Sequence, residues 1–379
     1  MSPDKKKRLV FVINRTQFFL SHRLPIAMAA AQAGYDVHVA VADGPDTPIL
    51  KATGLSVHTI PLTRSAMSPR GELKTIQSLK SLYETVRPDI VHHVTIKPVL
   101  YGTLAARLAG VPAVVNAISG LGFVFTANGA KAALRRGLVS QAYRSILRHH
   151  NQRVIFQNQD DYAVFRKAGI VRPHDAFFIK GSGTDLDLFT PRPEPEGPVT
   201  IILPARLLRD KGVNEFAAAA HILKARHPSL RMVLVGESDF GNPTAVAEAQ
   251  LQDWQQSGDL EWWGYQTDMP AVLAQAHVVC LPSYREGLPK SLIDAAASGH
   301  PIVTTDVPGC RDVVTHGDNG LLVPVRDAVA LADALETLIL DRDLRIRMGA
   351  RGRARAEAEF SLDSVIDKHL TLYDELLSR

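Results

Sequence analysis

Short apolar runs alternate with longer amphipathic segments along the chain, and the same order of segments occurs twice. The short runs are typical of strands buried on both faces, and the segments between them have apolar residues at helical spacing. Alternating strands and helices with short connections predict doubly wound parallel sheets of the α/β class. The predicted strands are RLVFVI, DVHVAVA, DIVHHV, AVVNAI and RVIFQN in the first half, and VTIILPA, RMVLVG, LEWWGY, VVCLPS and PIVTTD in the second.

The length of the chain predicts two domains, because one hydrophobic core rarely serves 379 residues. A stiff linker is expected at FTPRPEPEGPVT, where four prolines lie between Pro191 and Pro198. We therefore expect an N-terminal domain over 1–190, a linker over 191–198 and a second domain over 199–357. The apolar residues after position 358 follow helical spacing, and this last helix (358–379) is expected to complete the N-terminal domain. Ligands of such sheets bind outside the carboxyl ends of the strands, so the turns after strands are the place to look for chemistry.

Charge is distributed unevenly between the two halves. Residues 1–190 contain 24 Lys and Arg against 12 Asp and Glu, which gives +12, whereas residues 191–379 contain 19 against 27, which gives −8. No acidic residue occurs between Asp89 and Asp160. The first half is therefore expected to face something anionic, although a solvated basic surface is the alternative.

Cysteine content and hydropathy restrict the class of protein. Only Cys280 and Cys310 are present, which excludes a disulfide scaffold and fits a reducing compartment. No apolar run approaches the roughly 18 residues of a membrane-spanning helix, and the N-terminus lacks the pattern of a signal peptide. A cytoplasmic protein is expected.

Basic residues follow the first strand of the second half. Arg206 and Lys211 come at the end of VTIILPA and in the turn after it. A guanidinium fork and a point-charge ammonium together suit a diphosphate, although basic loop residues are usually solvated.

The stretch SYREGLPKSLIDAAASG holds two carboxylates, Glu286 and Asp294. Eight positions at about 1.5 Å per residue separate them by roughly 12 Å, which is too far for an acid and base acting on one bond. Between them Pro289 suits the first turn of a helix, and the N–H groups near Gly287 and Leu288 offer a phosphate site. The two acids thus fit the two ends of an extended ligand. The alternative is that each pairs with Lys290 at i, i+4.

An ordered set of motifs resembles a known family. The pieces RLLRDKGVNEF, LVGESD, WWGYQTDM, LPSYREGLPKSLIDAAASGHPIVTTDVPGCRDVV and GDNGLLVP look like the nucleotide-sugar domain of the family 4 retaining glycosyltransferases, which have the GT-B fold. The first half resembles members that act on polyprenyl-diphosphate-linked sugars, through SHRLPIAMAAAQAGYDVHV, DIVHHVTIKPVLYGTLAARLAGVPAVVNAISGLGFVF and GSGTDLDLFTP. The resemblance covers nearly the whole chain and implies two domains that face a cleft.

This resemblance implies roles for residues of the second half. Arg206 and Lys211 would bind the donor diphosphate, and Glu286 would contact the transferred sugar; these three are the predicted catalytic residues. Asp294 stands where the family usually has glutamate for the ribose hydroxyls, and the shorter acid predicts a looser contact. The remaining predicted donor-binding residues are Gly287, Leu288, Pro289 and Lys290 at the helix start, with Gly264 and Tyr265 at the nucleobase.

The first half supplies the predicted acceptor residues. The turn NRTQFFLSHR lacks the glycine of many relatives, so Arg15 or Arg23 is expected to replace its phosphate contact or to bind the acceptor diphosphate. His22 is either an acceptor contact or a plain surface histidine, and Ser21 is expected to cap the next helix. The strand-end stretch NAISGLG adds Asn116, Ser119 and Gly120 as residues that face the cleft.

A membrane contact is expected within the acid-free region. Phe123 and Phe125 form either an apolar membrane contact or part of the core. The following helix is basic through Arg135, Arg136, Arg144 and Arg148, which suits anionic lipid headgroups unless it is a solvated face.

The resemblance implies a retaining glycosyltransferase, and we expect it to be metal-independent because the basic residues and the helix start would take the place of a metal ion. It would move a hexose or N-acetylhexosamine from a UDP-sugar to a polyprenyl-diphosphate-linked sugar, peripherally at the inner face of the cell membrane, with no cofactor beyond the nucleotide sugar. A UDP-sugar epimerase of similar shape is the alternative. A dinucleotide oxidoreductase lacks its Gly-x-Gly-x-x-Gly turn, a non-catalytic lipid-binding protein would not need the donor motifs, and no nucleic-acid reader motif is present.

Overall fold

A computed structural model describes residues 6–62, 68–121, 130–239 and 242–379, without the side chains of 130–136 and 138. Contacts divide the chain into two compact units. Unit 1 comprises Met1–Ser182 with Ser364–Arg379, and unit 2 comprises Gly183–Asp363. Unit 2 begins at Gly183, 16 residues before the predicted start at 199, and ends at Asp363, six residues after the predicted end at 357.

Unit 1 contains a parallel sheet of seven strands in the order β3-β2-β1-β4-β5-β6-β7. The central strands are buried on both faces: Leu9 and Phe11 of β1 pack on one side, and Val10 and Val12 pack on the other. Such strands read as unbroken apolar runs, which is why they were predicted. The strands are β1 (Arg8–Ile13), β2 (Asp36–Val41), β3 (Ser56–Thr59), β4 (Ile90–Val94), β5 (Ala113–Ile118), β6 (Gln152–Phe156) and β7 (Ala176–Phe178).

Helices cover both faces of this sheet. One turn of π-helix, Pro98–Gly102, leads directly into the helix that follows β4. The helices are α1 (Thr16–His22), α2 (Leu24–Gln32), α3 (Thr47–Lys51), α4 (Pro69–Val86), α5 (Thr103–Ala109), α6 (Ala130–Ile146) and α7 (Gln159–Lys167). The expected cap by Ser21 is wrong, because its hydroxyl bonds Gln17 O at 2.8 Å and α2 begins after Arg23.

Unit 2 contains a parallel sheet of six strands in the order β10-β9-β8-β11-β12-β13. Its strands are β8 (Thr200–Pro204), β9 (Arg231–Val235), β10 (Glu261–Trp262), β11 (Val278–Leu281), β12 (Ile302–Thr305) and β13 (Gly320–Val323). Its helices are α8 (Val213–Arg226), α9 (Glu248–Gln256), α10 (Met269–Leu273), α11 (Lys290–Ala297), α12 (Ala328–Leu340) and α13 (Arg342–Glu359). The predicted α/β class with two Rossmann-like parallel sheets is confirmed.

The proline-rich stretch expected as a stiff linker lies within unit 2 and makes contacts there. Glu194 bonds Arg345 at 2.7 and 3.0 Å, and Pro195 O bonds His277 Nε2 at 3.1 Å. Burial alone would raise the pKa of the Glu194 carboxyl. Its hydrogen bond and ion pair with Arg345 act in the opposite direction, and the net effect is a lowered pKa. Glu194 and Pro195 therefore attach this otherwise exposed stretch to unit 2.

The final helix, α14 (Leu362–Leu377), completes the core of unit 1. Its buried residues Val365, Leu372, Tyr373 and Leu376 join the cluster that contains Leu9 and Phe11 of β1. Asn151 Nδ2 also donates to Leu376 O at 2.8 Å. The predicted return of the last helix to the N-terminal part of the chain is confirmed.

Candidate active site

The carboxyl edge of the unit 2 sheet brings two turns together. A turn of 3-10 helix, Arg209–Lys211, follows β8 and ends at Gly212, whose φ is +74°. A Cβ at Gly212 would lie 2.1 Å from Pro282 O, so only glycine allows this close approach. Tyr284 N also donates to Asp210 O at 2.9 Å. The turn that carries Lys211 is therefore packed against the loop that follows β11.

Lys211 and Glu286 meet across this contact. The ammonium donates to Glu286 Oε1, and the same oxygen accepts from Ser283 Oγ at 2.7 Å. The side chains are 21% and 11% exposed, so water screens this ion pair only partly. The arrangement holds a cation and a carboxylate at the edge of the sheet, where they can bind a polar ligand of mixed charge.

The loop after β12 supports Glu286 from behind. Glu286 N donates to Pro308 O at 3.1 Å. Gly309 has a φ of +83°, and a Cβ there would lie 2.7 Å from the Glu286 carbonyl carbon. Residues 286 and 287 are thus fixed by close backbone contacts with residues 308 and 309.

Arg206 lies at the same edge, two residues after β8 ends at Pro204. Its Nη1 donates to Asp239 Oδ2 at 3.0 Å, and the arginine side chain is 46% exposed. An exposed ion pair of this kind contributes little to stability and can exchange partners. Nearly half of the Arg206 side chain is exposed at this edge of the sheet.

Asp294 lies on the buried side of α11 and is 7% exposed. Its Oδ1 accepts from Lys290 Nζ at 2.7 Å and from Thr184 Oγ1 at 2.8 Å. Burial raises the pKa of this carboxyl, and Lys290 and Thr184 oppose the shift. The i, i+4 pair that the sequence left open is present at Asp294, whereas Glu286 has Lys211 as its partner. Pro289 is the N-cap of α11 rather than part of its first turn.

The ends of β9 and β10 are joined through backbone groups. Gly236 N donates to Gly264 O at 2.8 Å, and Trp262 Nε1 donates to Gly236 O at 2.8 Å. The next residue, Tyr265, is 50% exposed. The Gly264 carbonyl is thus hydrogen-bonded to the end of β9, and the neighbouring Tyr265 has a large exposed ring.

Three predicted acceptor residues lie at the two ends of α1, the helix that follows β1. Arg15 Nη2 donates to Gln17 Oε1 at 3.2 Å, and the His22 ring stacks on Phe18 with centroids 4.0 Å apart. Arg23 is only 2% exposed and donates to Ser182 Oγ at 3.0 Å. Burial lowers the pKa of Arg23 to about 10. The structure gives no support to the expected phosphate contact by Arg23, because its guanidinium lies inside unit 1.

Asn116 is also inside unit 1, so the expectation that it faces outward is wrong. It is fully buried, and its Oδ1 accepts from Thr103 Oγ1 at 2.9 Å and lies 2.9 Å from His93 Nδ1. Ser119 and Gly120 directly follow β5 and are partly exposed at the carboxyl edge of the sheet. These two residues keep a position from which they can contact a ligand.

The predicted membrane residues are described only in part. Phe123 and Phe125 lie outside the described residues, as do the side chains of Arg135 and Arg136. Arg144 donates to Ala168 O, so its guanidinium is partly engaged within unit 1, whereas Arg148 is exposed. No helix in the described part of the chain combines the length and apolarity needed to cross a membrane.

Some residues of the site were not predicted. Ser283 binds Glu286, and Gly212 and Gly309 permit the close contacts that hold Lys211 and Glu286. The sequence shows a serine at a strand end and a Pro-Gly pair after β12. Only the order of the strands reveals that both lie beside Glu286. Within the described residues, no three or more His, Cys, Asp or Glu side chains form a group able to hold a metal ion.

Two family models match the chain. Residues 187–355 match "Glycosyl transferases group 1" and residues 8–158 match "Glycosyl transferase 4-like". Among solved structures, Anabaena HepE, solved in complex with UDP and glucose, has a TM-score of 0.80 at 19% identity, over 97% of this chain and 99% of that chain. Sucrose-phosphate synthase from Thermosynechococcus elongatus has a TM-score of 0.80 at 21% identity, over 98% and 100%. The fold is therefore GT-B.

Relatives of similar length have named activities. The chain is 28% identical over 381 residues to the N,N'-diacetylbacillosaminyl-diphospho-undecaprenol alpha-1,3-N-acetylgalactosaminyltransferase of Campylobacter jejuni, covering 95% of this chain and 98% of the relative. It is 26% identical over 321 residues to the UDP-Gal:alpha-D-GlcNAc-diphosphoundecaprenol alpha-1,3-galactosyltransferase of Escherichia coli, covering 80% and 81%. The two models match in order and together cover most of the chain, so the protein is a glycosyltransferase with a "Glycosyl transferase 4-like" part followed by a "Glycosyl transferases group 1" part.

Proposed function

We propose that this glycosyltransferase moves a hexose or N-acetylhexosamine from a UDP-sugar to a sugar on a polyprenyl diphosphate, with retention of anomeric configuration. The observation that carries the proposal is the contact between Lys211 and Glu286 at the carboxyl edge of unit 2. It places a phosphate-binding cation next to a carboxylate suited to sugar hydroxyls, in a family whose members transfer sugars.

Phosphate binding is assigned to Lys211, Arg206 and the start of α11. When the bond between sugar and diphosphate breaks, negative charge develops on the leaving phosphate. An ammonium, a guanidinium and backbone N–H groups near Gly287 and Leu288 would stabilise that charge without a metal ion. Unchanged turnover in EDTA would support metal independence, and loss of turnover restored by Mg²⁺ would oppose it.

Glu286 is assigned to the transferred sugar and Asp294 to the ribose end of the donor. Glu286 is held by Ser283 and Lys211, so its carboxylate is already oriented. The nucleobase would lie near Gly264 and against the exposed ring of Tyr265. Retention fits front-face substitution through an oxocarbenium-like transition state, because these carboxylates serve binding rather than a paired acid and base.

The acceptor is assigned to unit 1, residues 1–190 with the last helix, and the donor to residues 199–357. The names of the Campylobacter and Escherichia relatives, which specify undecaprenyl-diphosphate-linked sugars, support a lipid-linked acceptor. Arg15, His22, Ser119 and Gly120 remain the candidate contacts. The basic helix α6 would then dock on an anionic membrane at the inner face of the cell membrane.

A panel of UDP-sugars with polyprenyl-diphosphate sugars, read by mass spectrometry, tests this function. The expected product is an acceptor heavier by one sugar residue, together with UDP. Interconversion of UDP-sugars in the absence of an acceptor would favour the epimerase instead. Proton NMR of the new anomeric signal tests retention, since inversion of the anomeric configuration would overturn it.

A further inference from the structure

Thr95 has a backbone conformation that its side chain disfavours. It directly follows β4 and has a φ of +75°. Among the described residues only Arg87, Thr95 and Arg326 combine a side chain with positive φ, and Thr95 alone of these is β-branched. β-Branched residues rarely adopt this conformation, because the branched Cβ crowds the neighbouring carbonyl.

The Thr95 hydroxyl does not stabilise this conformation. Polar residues at positive φ are often held by a hydrogen bond from their own side chain to nearby backbone. The Thr95 oxygen is shielded from solvent and has no hydrogen-bond partner among the described residues. The surrounding structure therefore imposes the positive φ of Thr95. Backbone strain of this kind is often found at functional sites, where it sets the position of neighbouring residues.

A buried polar network imposes it. His93, two residues earlier, bonds Asn116 through Nδ1 at 2.9 Å and Tyr83 through Nε2 at 2.9 Å. The π-helical turn packs against the same ring, because a Cβ at Gly102 would lie 2.4 Å from it. The chain is thus anchored on both sides of Thr95, and the bend between the anchors is fixed.

The bend determines where Lys97 lies. Two residues after Thr95, the Lys97 ammonium bonds Glu72 Oε1 of α4 at 2.9 Å, and the two side chains are 18% and 21% exposed. Val94, the last residue of β4, pairs with Ala117 of β5, so Thr95 lies beside the carboxyl end of β5. Lys97 therefore follows β4 at the carboxyl edge of the unit 1 sheet, the edge at which Ser119 and Gly120 follow the neighbouring strand β5.

We propose that Thr95 is a positioning residue that holds Lys97 in place to bind the diphosphate of the acceptor. The inference rests on the proposed function, because it names the unit 1 cation that recognises the lipid-linked substrate. Glu72 neutralises the ammonium when no acceptor is present, and the acceptor phosphates compete for it. The proposed donor residues all belong to unit 2, so this segment has no assigned role in donor binding.

A double-mutant cycle tests the proposal. Thr95→Gly permits positive φ without strain and loosens the bend, so the midpoint of unfolding should equal or exceed that of the parent while the KM for a polyprenyl-diphosphate sugar rises about fivefold. Lys97→Met should raise that KM about tenfold. The double variant should be no worse than Lys97→Met within about twofold, because Thr95 acts through Lys97.

Controls separate positioning from general damage. Arg87→Gly relieves positive φ at the end of α4 and should leave the KM for the acceptor unchanged. Thr95→Asn tolerates positive φ and should restore most of the parent KM. The donor KM, measured by varying the UDP-sugar at saturating acceptor, should stay within about twofold in every variant.

Two results would overturn the proposal. One is an unchanged KM for the acceptor in Thr95→Gly, and the other is additive effects in the double variant. If the parent enzyme transfers no sugar to a polyprenyl-diphosphate acceptor, the proposed function fails first. An active parent with a normal Thr95→Gly variant rejects only the role of Thr95.

Discussion

Replacing Glu286 by glutamine should strengthen UDP binding while it weakens sugar transfer. In the structure Lys211 donates to Glu286, so a bound diphosphate must draw the ammonium away from a carboxylate. Glutamine keeps the shape of the side chain and can still accept from Ser283, but it does not attract the ammonium as a charge does. The variant therefore isolates the competition between carboxylate and phosphate for one cation.

The expected magnitude follows from the burial of the pair. Hydrogen bonds between charged groups contribute about 1.5–3 kcal/mol, and both side chains are less than a quarter exposed, at 21% and 11%. If UDP binding disrupts about half of that interaction, its removal gains roughly 1 kcal/mol, which is about a fivefold lower Kd. Lys211→Met should raise the Kd at least about tenfold, because the phosphate then loses its cation.

Isothermal titration with UDP at low ionic strength measures both changes, and the rate of UDP release with acceptor measures transfer. Transfer by Glu286→Gln should fall about a hundredfold, because the proposed sugar contact is weakened in the transition state. Glu336→Gln is a matched control: it also removes a carboxylate from an ion pair, with Arg226 at the far end of α8, and should change neither quantity. Weaker UDP binding by Glu286→Gln would refute the competition.

Three further outcomes are expected. Asp294→Ala should raise the Kd for UDP about tenfold with a smaller effect on kcat, because it removes the proposed ribose contact; a kcat effect alone, seen in steady-state kinetics, would reverse this assignment. Arg148→Gln should weaken partitioning to anionic liposomes about fivefold and Arg144→Gln less, since Arg144 bonds Ala168 O; equal effects in a sedimentation assay would contradict this difference. Burial lowers the pKa of His93 to about 4, so stability present above pH 6.5 should be lost as pH falls towards 4, by about 2 kcal/mol at pH 5. Urea unfolding should show a smaller loss from pH 7.5 to 5 in His93→Asn, and an identical loss would exclude His93 as the cause.

The fold was predictable because its central strands are buried on both faces. Runs such as RLVFVI and VVCL have no polar alternation, and between them lie helices with a clear apolar stripe. The short edge strands β3, β7 and β13 were not predicted, since few contacts determine them and their composition is mixed. The orientation of Asn116 was predicted wrongly for a related reason. Every residue of β5 is buried, so the alternation of side chains along the strand does not tell which of them lies in the core.

The candidate site was predictable in its residue types but not in its pairs. Glu286 and Lys211 are 75 positions apart, and only the order of strands brings β8 and β11 together. The local spacing suggested Lys290 as the partner of both acids, and it is the partner of Asp294 only. Local spacing predicts contacts within one helix, whereas contacts between turns depend on topology.

The return of α14 to unit 1 has a consequence for biosynthesis. Tyr373 and Leu376 belong to the same core as Phe11, yet all of Gly183–Asp363 is made between them. Unit 2 is continuous in sequence and can fold on the ribosome as soon as it emerges. Unit 1 is synthesised first, but its core surface around Phe11 stays exposed until α14 has been made. Nascent chains arrested before α14 should therefore bind holdase chaperones through their first half.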